Sequence, residues 1–306
     1  MRRSDQVSGA TSRGARAARE LIVGAALVLA LAGCSGSPEE VVRTSGALAD
    51  GFEIEPGSGL VGAVFPRGAA GQLAVLRVDG DLPRVFEGYV RQAEELGYPV
   101  GSEGGGVDAE CSGPDDGEDD QIVGDDATED DPVEGRFRTE CAASGLEMSE
   151  SEVSVLSVRG LGEADGTGYI VLETDQHSNE VPERPALAAE GPVASPTDDE
   201  LAPDLAPSTD VPPLHIVEGS ELVTDPLPSG CTTGGYVAVL EVTGELMPVM
   251  RGYLEQFTDT TGFTSEGLVG DDEEPRVIAE AAGGGSLNAL GVAGDPSYVL
   301  IERCND

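Results

Sequence analysis

Ala74-Val75-Leu76-Arg77-Val78-Asp79-Gly80-Asp81-Leu82 recurs as Ala238-Val239-Leu240-Glu241-Val242-Thr243-Gly244-Glu245-Leu246. An apolar run, a glycine turn and an acidic residue before leucine return in the same order, which marks a duplicated unit. The match continues through Val85/Val249, Gly88/Gly252, Tyr89/Tyr253 and Gln92/Gln256. Upstream, Gly57-Ser58-Gly59-Leu60-Val61 pairs with Gly219-Ser220-Glu221-Leu222-Val223, and Pro66 with Pro228. Downstream, Ile122-Val123-Gly124-Asp125-Asp126 pairs with Leu268-Val269-Gly270-Asp271-Asp272, and Tyr169-Ile170-Val171-Leu172-Glu173 with Tyr298-Val299-Leu300-Ile301-Glu302. Two copies are expected, over 51–175 and 215–306.

Within each copy the periodicities alternate. Leu73 to Val78 is nearly all apolar, as a strand covered on both faces would be, and Asp81 stands where it can cap a helix. Leu82, Val85, Phe86, Tyr89, Val90, Ala93 and Leu96 then recur at helical spacing up to a stop at Gly97. Copy two repeats the stripe with Leu246, Val249, Met250, Tyr253, Leu254 and Phe257, ending near Gly262. Strands are predicted at 137–142, 153–158 and 169–173, and again at 277–281, 287–292 and 298–302. One helix on a mainly antiparallel sheet in each copy buries these faces, so the expected class is α+β, two duplicated small domains. Gly88 and Gly252 are expected to bring the helix close to its sheet. Tyr89 and Tyr253 are expected as core residues with the hydroxyl at the rim.

Charge limits the partners. The 306 residues carry 58 Asp and Glu against 17 basic residues, all arginine, for a net charge of −41. Such a polyanion repels nucleic acid and anionic headgroups. Between the copies, 176–214 is rich in Pro, Ala and acid without periodicity and reads as a disordered, solvated linker.

The first 34 residues read as an address. Arg2, Arg3, Arg13, Arg16 and Arg19 precede an apolar run from Leu21 to Ala32, too short to span a bilayer, that ends in Leu31-Ala32-Gly33-Cys34. This order resembles the signal and lipobox of bacterial lipoproteins. The resemblance implies cleavage before Cys34, a diacylglycerol on its thiol, a tether over 34–50 and attachment to the membrane on its extracytoplasmic face. The general plan is similar to that of the uncharacterised lipoproteins of high-GC Gram-positive bacteria, which implies a location without an activity.

Four cysteines remain, and an exported chain favours disulfides. Of the three connectivities, Cys111–Cys141 and Cys231–Cys304 keep each pair within one copy. The absence of CxxC, with His177 and His215 in or beside the linker as the two histidines, speaks against zinc and thiol catalysis.

Acid concentrates between the helix and the next strand. From Asp108 to Glu134, 13 of 27 residues are Asp or Glu, and copy two keeps Asp271-Asp272-Glu273-Glu274 at the same place. Such loops stay solvated, meet a cationic partner or bind hard cations. Asp125, Asp126, Asp271, Asp272, Glu273 and Glu274 are the candidate calcium ligands, although EF-hand spacing is absent. Gly57-x-Gly59-x-x-Gly62 follows no strand and is not kept in copy two, and Gly283-Gly284-Gly285-Ser286 lacks the lysine of a phosphate loop. No Gly-x-Ser-x-Gly occurs. The expectation is a non-catalytic, lipid-anchored protein that binds or scaffolds an extracytoplasmic protein or small ligand without a cofactor. A calcium-binding surface protein is the alternative, and a hydrolase the third reading.

Overall fold

The computed structural model describes residues 42–48, 51–67, 71–98, 110–112, 136–148, 152–178, 185–203, 205, 212–231, 234–260, 262–281 and 285–304. Its first half forms β1 (Val42–Arg43), β2 (Ser58–Arg67), β3 (Gly71–Asp79), α1 (Leu82–Glu95), β4 (Glu110–Ser112), β5 (Phe137–Met148), β6 (Glu152–Glu163) and β7 (Thr167–Ser178). The second forms β8 (Pro196–Glu200), β9 (His215–Val217), β10 (Ser220–Leu222), β11 (Leu227–Pro228), β12 (Gly235–Val242), α2 (Leu246–Asp259), β13 (Phe263–Val269), β14 (Arg276–Ala281), β15 (Ser286–Val292) and β16 (Ser297–Cys304). Sheet one has the order β1-β2-β3-β7-β6-β5-β4, and sheet two β10-β12-β16-β15-β14-β13 with β11 also on β12. All of these pairings are antiparallel, as is the small β8-β9 sheet.

The repeated apolar runs are the interior strands β3 and β12 because both of their faces are covered. Ala74, Leu76 and Val78 face α1, joining Leu82, Val85, Phe86 and Tyr89 in one core. Ala238, Leu240 and Val242 likewise face α2, with Val249, Met250, Tyr253 and Phe257. The alternate residues make a third core: Val61, Phe65, Leu73, Val75 and Tyr169 of sheet one meet Val237, Val239, Leu290, Tyr298 and Leu300 of sheet two. Val75 and Val239, and Tyr169 and Tyr298, are repeat partners, so equivalent positions of the two copies share one core.

This arrangement corrects the expected α+β class. Among the described residues the structure is mainly β, 53% strand and 15% helical, with two helices against three antiparallel sheets, and it is not a pair of separate one-helix domains. Residues Glu40–Asp306 form one compact unit. The physical reason is twofold. Strands β5, β6 and β7 run to twelve residues each, well past the apolar stretches that signal them, because the outer positions are polar. The second apolar face of each sheet also has to be buried, and the other sheet buries it.

Two further expectations change. Part of the segment read as a disordered linker is ordered chain: Pro196–Glu200 is β8, Leu201 is fully buried, and Leu187 and Ala194 pack onto the α2 core. Ala194 N donates to Pro248 O at 3.0 Å, and Arg251 donates to Ala188 O at 3.2 Å and Pro192 O at 3.3 Å, so the segment straps the back of α2. Gly252 serves that strap rather than the sheet, since a Cβ there would stand 2.5 Å from Ala194 O. Gly88 meets the Glu55 side chain in the same way, at 2.6 Å.

Candidate binding cleft at the seam of the sheets

The retained helix residues have a structural task. Gln92 Oε1 accepts from Glu53 N at 2.8 Å and its amide donates to Glu53 O at 3.1 Å. Gln256 grips His215 identically, at 2.9 and 3.0 Å. A side-chain amide thus imitates one rung of a sheet and pins the incoming arm to the helix. The Tyr89 hydroxyl is fully buried, not at a rim. It accepts from Glu55 N at 3.1 Å and lies 2.9 Å from Ser58 Oγ, which itself donates to Glu55 O at 2.8 Å. In copy two Ser220 Oγ donates to Val217 O at 2.7 Å, and the buried Tyr253 hydroxyl lies against the same two residues. Burial pushes Tyr89 above the ordinary tyrosine value and Tyr253 up to about 12, so neither is a proton shuttle near neutrality.

Three arginines of the first half hold the second. Arg67 pairs with Glu173 at 2.5 Å and reaches across to Glu302 at 3.2 Å, whose other oxygen accepts from Asn288 at 3.0 Å. Glu173 and Glu302 are repeat partners. Burial raises the Glu173 carboxyl above its ordinary value, with Arg67 pulling it down and Glu302 and Asp175 adding to the rise. Burial alone would lower Arg67, but the carboxylates of Glu302, Glu173 and Asp175 outweigh it and hold the guanidinium above its usual value. Arg136 is bonded to Glu163 at 2.6 Å and donates to Pro226 O at 3.3 Å. Arg159 is bonded to Glu140 through Nε at 3.0 Å and Nη2 at 2.8 Å, while its Nη1 donates to Pro228 O at 3.0 Å and to Ser229 O. The planar, five-donor guanidinium suits such bridges, which a lysine could not span.

Beside Arg159 the sheets part to leave a cleft of about 310 Å³, lined by Glu140, Ala142, Ser144, Ser157 and Arg159 from β5 and β6 and by Ser229–Cys231 opposite. Ser144 and Ser157 are cross-strand partners on its floor. The cleft is open, rich in hydroxyls and carries one paired charge. Arg159 spends its donors on the walls, which leaves hydroxyls and backbone groups to contact an occupant. Such a lining suits hydrogen bonding to neutral polar groups, and offers no activated nucleophile.

Of the residues singled out in the sequence, Cys34, Asp125 and Asp126 lie outside the described residues. Cys111 is bonded to Cys141 across the β4–β5 pair, and Cys231 to Cys304, with Cys231 in the cleft wall. Asp271, Asp272, Glu273 and Glu274 are all exposed. Asp271 Oδ1 is used locally, accepting from the amides of Glu273 at 2.9 Å and Glu274 at 2.8 Å. Among the described residues no group of three His, Cys, Asp or Glu side chains is placed to hold a metal ion. Sequence reasoning missed Arg67, Arg159, Ser144 and Ser157. The available signal was the rarity of arginine in so acidic a chain, with Arg159 alternating with Ser157 and Leu161 on one strand face. No protein-family model matches the chain, and no curated protein matches it significantly.

Proposed function

We propose that the chain is a lipid-anchored, extracytoplasmic protein that binds or scaffolds another molecule without chemically changing it. The observation that carries this reading is the seam cleft, an open hydroxyl-lined recess braced by Arg159 and Glu140 on a sandwich stapled by two disulfides. Disulfides suit an oxidising compartment, which agrees with the lipobox reading of Cys34. A photo-cross-linking residue in place of Ser157, in cells labelled with radioactive palmitate, tests both halves. The expected result is a palmitate-labelled chain joined to one discrete species, with the lipid label lost in Cys34→Ala and the adduct reduced in Arg159→Ala. A product released from the adducted molecule by the purified chain would overturn the non-catalytic reading, and an unlabelled chain would overturn the anchor.

A further inference from the structure

The two ends of the seam are built on the same registers and filled differently. Glu173 and Glu302 are repeat partners, so the cross-strand row Ser144↔Ser157↔Glu173 answers to Ile278↔Asn288↔Glu302. One rung on, Ala142↔Arg159↔Val171 answers to Arg276↔Leu290↔Leu300. These positions face the opposite sheet, because their neighbours along the strands, Cys141, Ala143 and Val158 in one copy and Val277, Ala279 and Ala289 in the other, belong to the helix cores. The facing walls correspond as well. Pro66 lies opposite Gln72 and Pro228 opposite Tyr236, two residues before the repeated Ala74 and Ala238, so Arg67 of one wall answers to Ser229 of the other. In copy two the space is taken: Arg67 crosses it to Glu302 at 3.2 Å, Asn288 Nδ2 donates to the other Glu302 oxygen at 3.0 Å, and Arg276 and Leu290 are buried. In copy one the same places hold Ser229, Ser157 and Ala142, with Ser144 for Ile278, and the cleft of about 310 Å³ is what these shorter side chains leave. Arg159, the one longer side chain, is drawn off to Glu140 and the wall carbonyls.

Glu173 shows which partner copy one lacks. Arg67 reaches one oxygen of Glu173 and one of Glu302, so the cation serves both. Glu302 has in addition the neutral amide of Asn288, whereas among the described residues Ser157 makes no hydrogen bond to Glu173, and the second Glu173 oxygen takes none. The Glu173 side chain is 27% exposed against 6% for Glu302, so an occupant can reach the first and not the second. We infer that the cleft takes a small uncharged ligand carrying a carboxamide and hydroxyl groups, the class of N-acetylated amino sugars, with its amide N–H donating to Glu173 where copy two has Asn288. This names the ligand class of the site proposed above and rests on that reading. The ligand hydroxyls meet Ser144, Ser157 and Ser229, each of which both donates and accepts. A cation in the same place would duplicate Arg67 and add a charge to be stripped of water. The cleft volume lies at the small end of ligand sites, as a single ring requires.

The test is saturation-transfer NMR on the full chain in detergent at neutral pH, with N-acetylglucosamine as probe and with glucose and cationic glucosamine beside it. The expected result is saturable contact to the acetamide and ring protons of N-acetylglucosamine. Glucose, which lacks the amide, and glucosamine should each bind about tenfold more weakly. Ser157→Asn introduces the residue of copy two, supplies Glu173 from within the chain and should bring N-acetylglucosamine down to the level of glucose. Ser144→Ile, again the residue of copy two, should fill the floor and abolish binding of all three sugars, with amide exchange away from the cleft showing that the fold is kept. If that variant does not fold, Ser157→Asn decides alone. Absence of saturable N-acetylglucosamine binding would overturn the inference. So would binding that survives in folded Ser144→Ile, equal binding of glucosamine, or a sugar preference unchanged in Ser157→Asn. Each of those outcomes leaves the Ser157 cross-linking result standing, so this ligand class and the general binding reading fail separately.

Discussion

In the second half the back of α2 carries a strap from 185 to 203 that hydrogen-bonds Pro248 O and collects Arg251, whereas in the first half the described covering of α1 is the arm from Phe52 to Glu55. Yet the innermost layer of the two coverings is the same. Glu53 and His215 occupy equivalent places, each clamped by a helix glutamine, and each arm then passes a serine beside the buried tyrosine. The repeat therefore preserved the clamp of arm to helix and let everything outside it diverge. A position that recurs in both copies, such as Gly88/Gly252, can keep its residue type while serving different neighbours: the tip of a Glu55 side chain in one, a backbone carbonyl in the other.

The largest predicted contrast lies in the disulfides. Cys231–Cys304 closes 73 residues and Cys111–Cys141 closes 30. In the chain-entropy account the first bond stabilises by about 4–5 kcal/mol and the second by about 3–4 kcal/mol. Urea unfolding of the two double Cys→Ala variants should keep that order. The first should also loosen the cleft, because Cys231 belongs to its wall and the carbonyls of Pro228 and Ser229 hold Arg159. Equal losses would show that the loop length is not what decides.

Next come the repeated glycines. Gly252→Ala drives a methyl into Ala194 O and Val217, with backbone on one side, and should cost about 1–3 kcal/mol while raising exchange in the strap. Gly88→Ala meets the Glu55 side chain, whose carboxylate Gln92 holds at 2.6 Å, but no backbone, and the helix gains about 1 kcal/mol of propensity, so it should cost less than Gly252→Ala. Thermal unfolding of both variants measures the gap. If they lose equally, the strap is not what Gly252 accommodates.

Gln92→Ala and Gln256→Ala should behave alike, unlike the glycines. Each removes two hydrogen bonds to the arm's backbone, worth about 1–2 kcal/mol together, and Gln92→Ala also removes the 2.6 Å bond to Glu55 Oε1. Exchange should rise at 53–55 in one variant and at 215–217 in the other. A silent result in either half would break the equivalence of the two clamps.

The central strands, both helices, the Asp81 cap, which accepts from Arg84 N at 3.2 Å, and the second-half strands were legible because apolar periodicity and repetition signal them directly. The class was not. Extension of β5 to β7 rests on residues such as Arg159, Ser157 and Glu173 that face the other sheet, and no local pattern reports a partner so far along the chain. The strap was hidden for the same reason: Leu187, Ala194 and Leu201 are too sparse for a period and are ordered by distant partners, α2, β13 and Leu214. Of the site, Cys231 was visible as a cysteine to be paired. Arg159 and the two floor serines became functional candidates once their strands were laid side by side.

The smallest predicted effect concerns the charge knot where the repeat partners Glu173 and Glu302 meet on Arg67. Burial holds the Glu173 carboxyl above its ordinary value, so the native chain keeps that proton to higher pH than the unfolded chain does. Its contribution to stability is therefore full below the ordinary glutamate value and is lost as pH rises through the folded value. Glu173→Gln removes the titration while Arg67, Asp175 and Glu302 still face the site. The stability of the native chain relative to this variant should thus fall as pH is raised through and above the ordinary glutamate value. Urea midpoints at matched ionic strength across that range measure it. A constant difference would mean that Arg67 satisfies Glu173 fully, and that the two glutamates share their cation without competing for it.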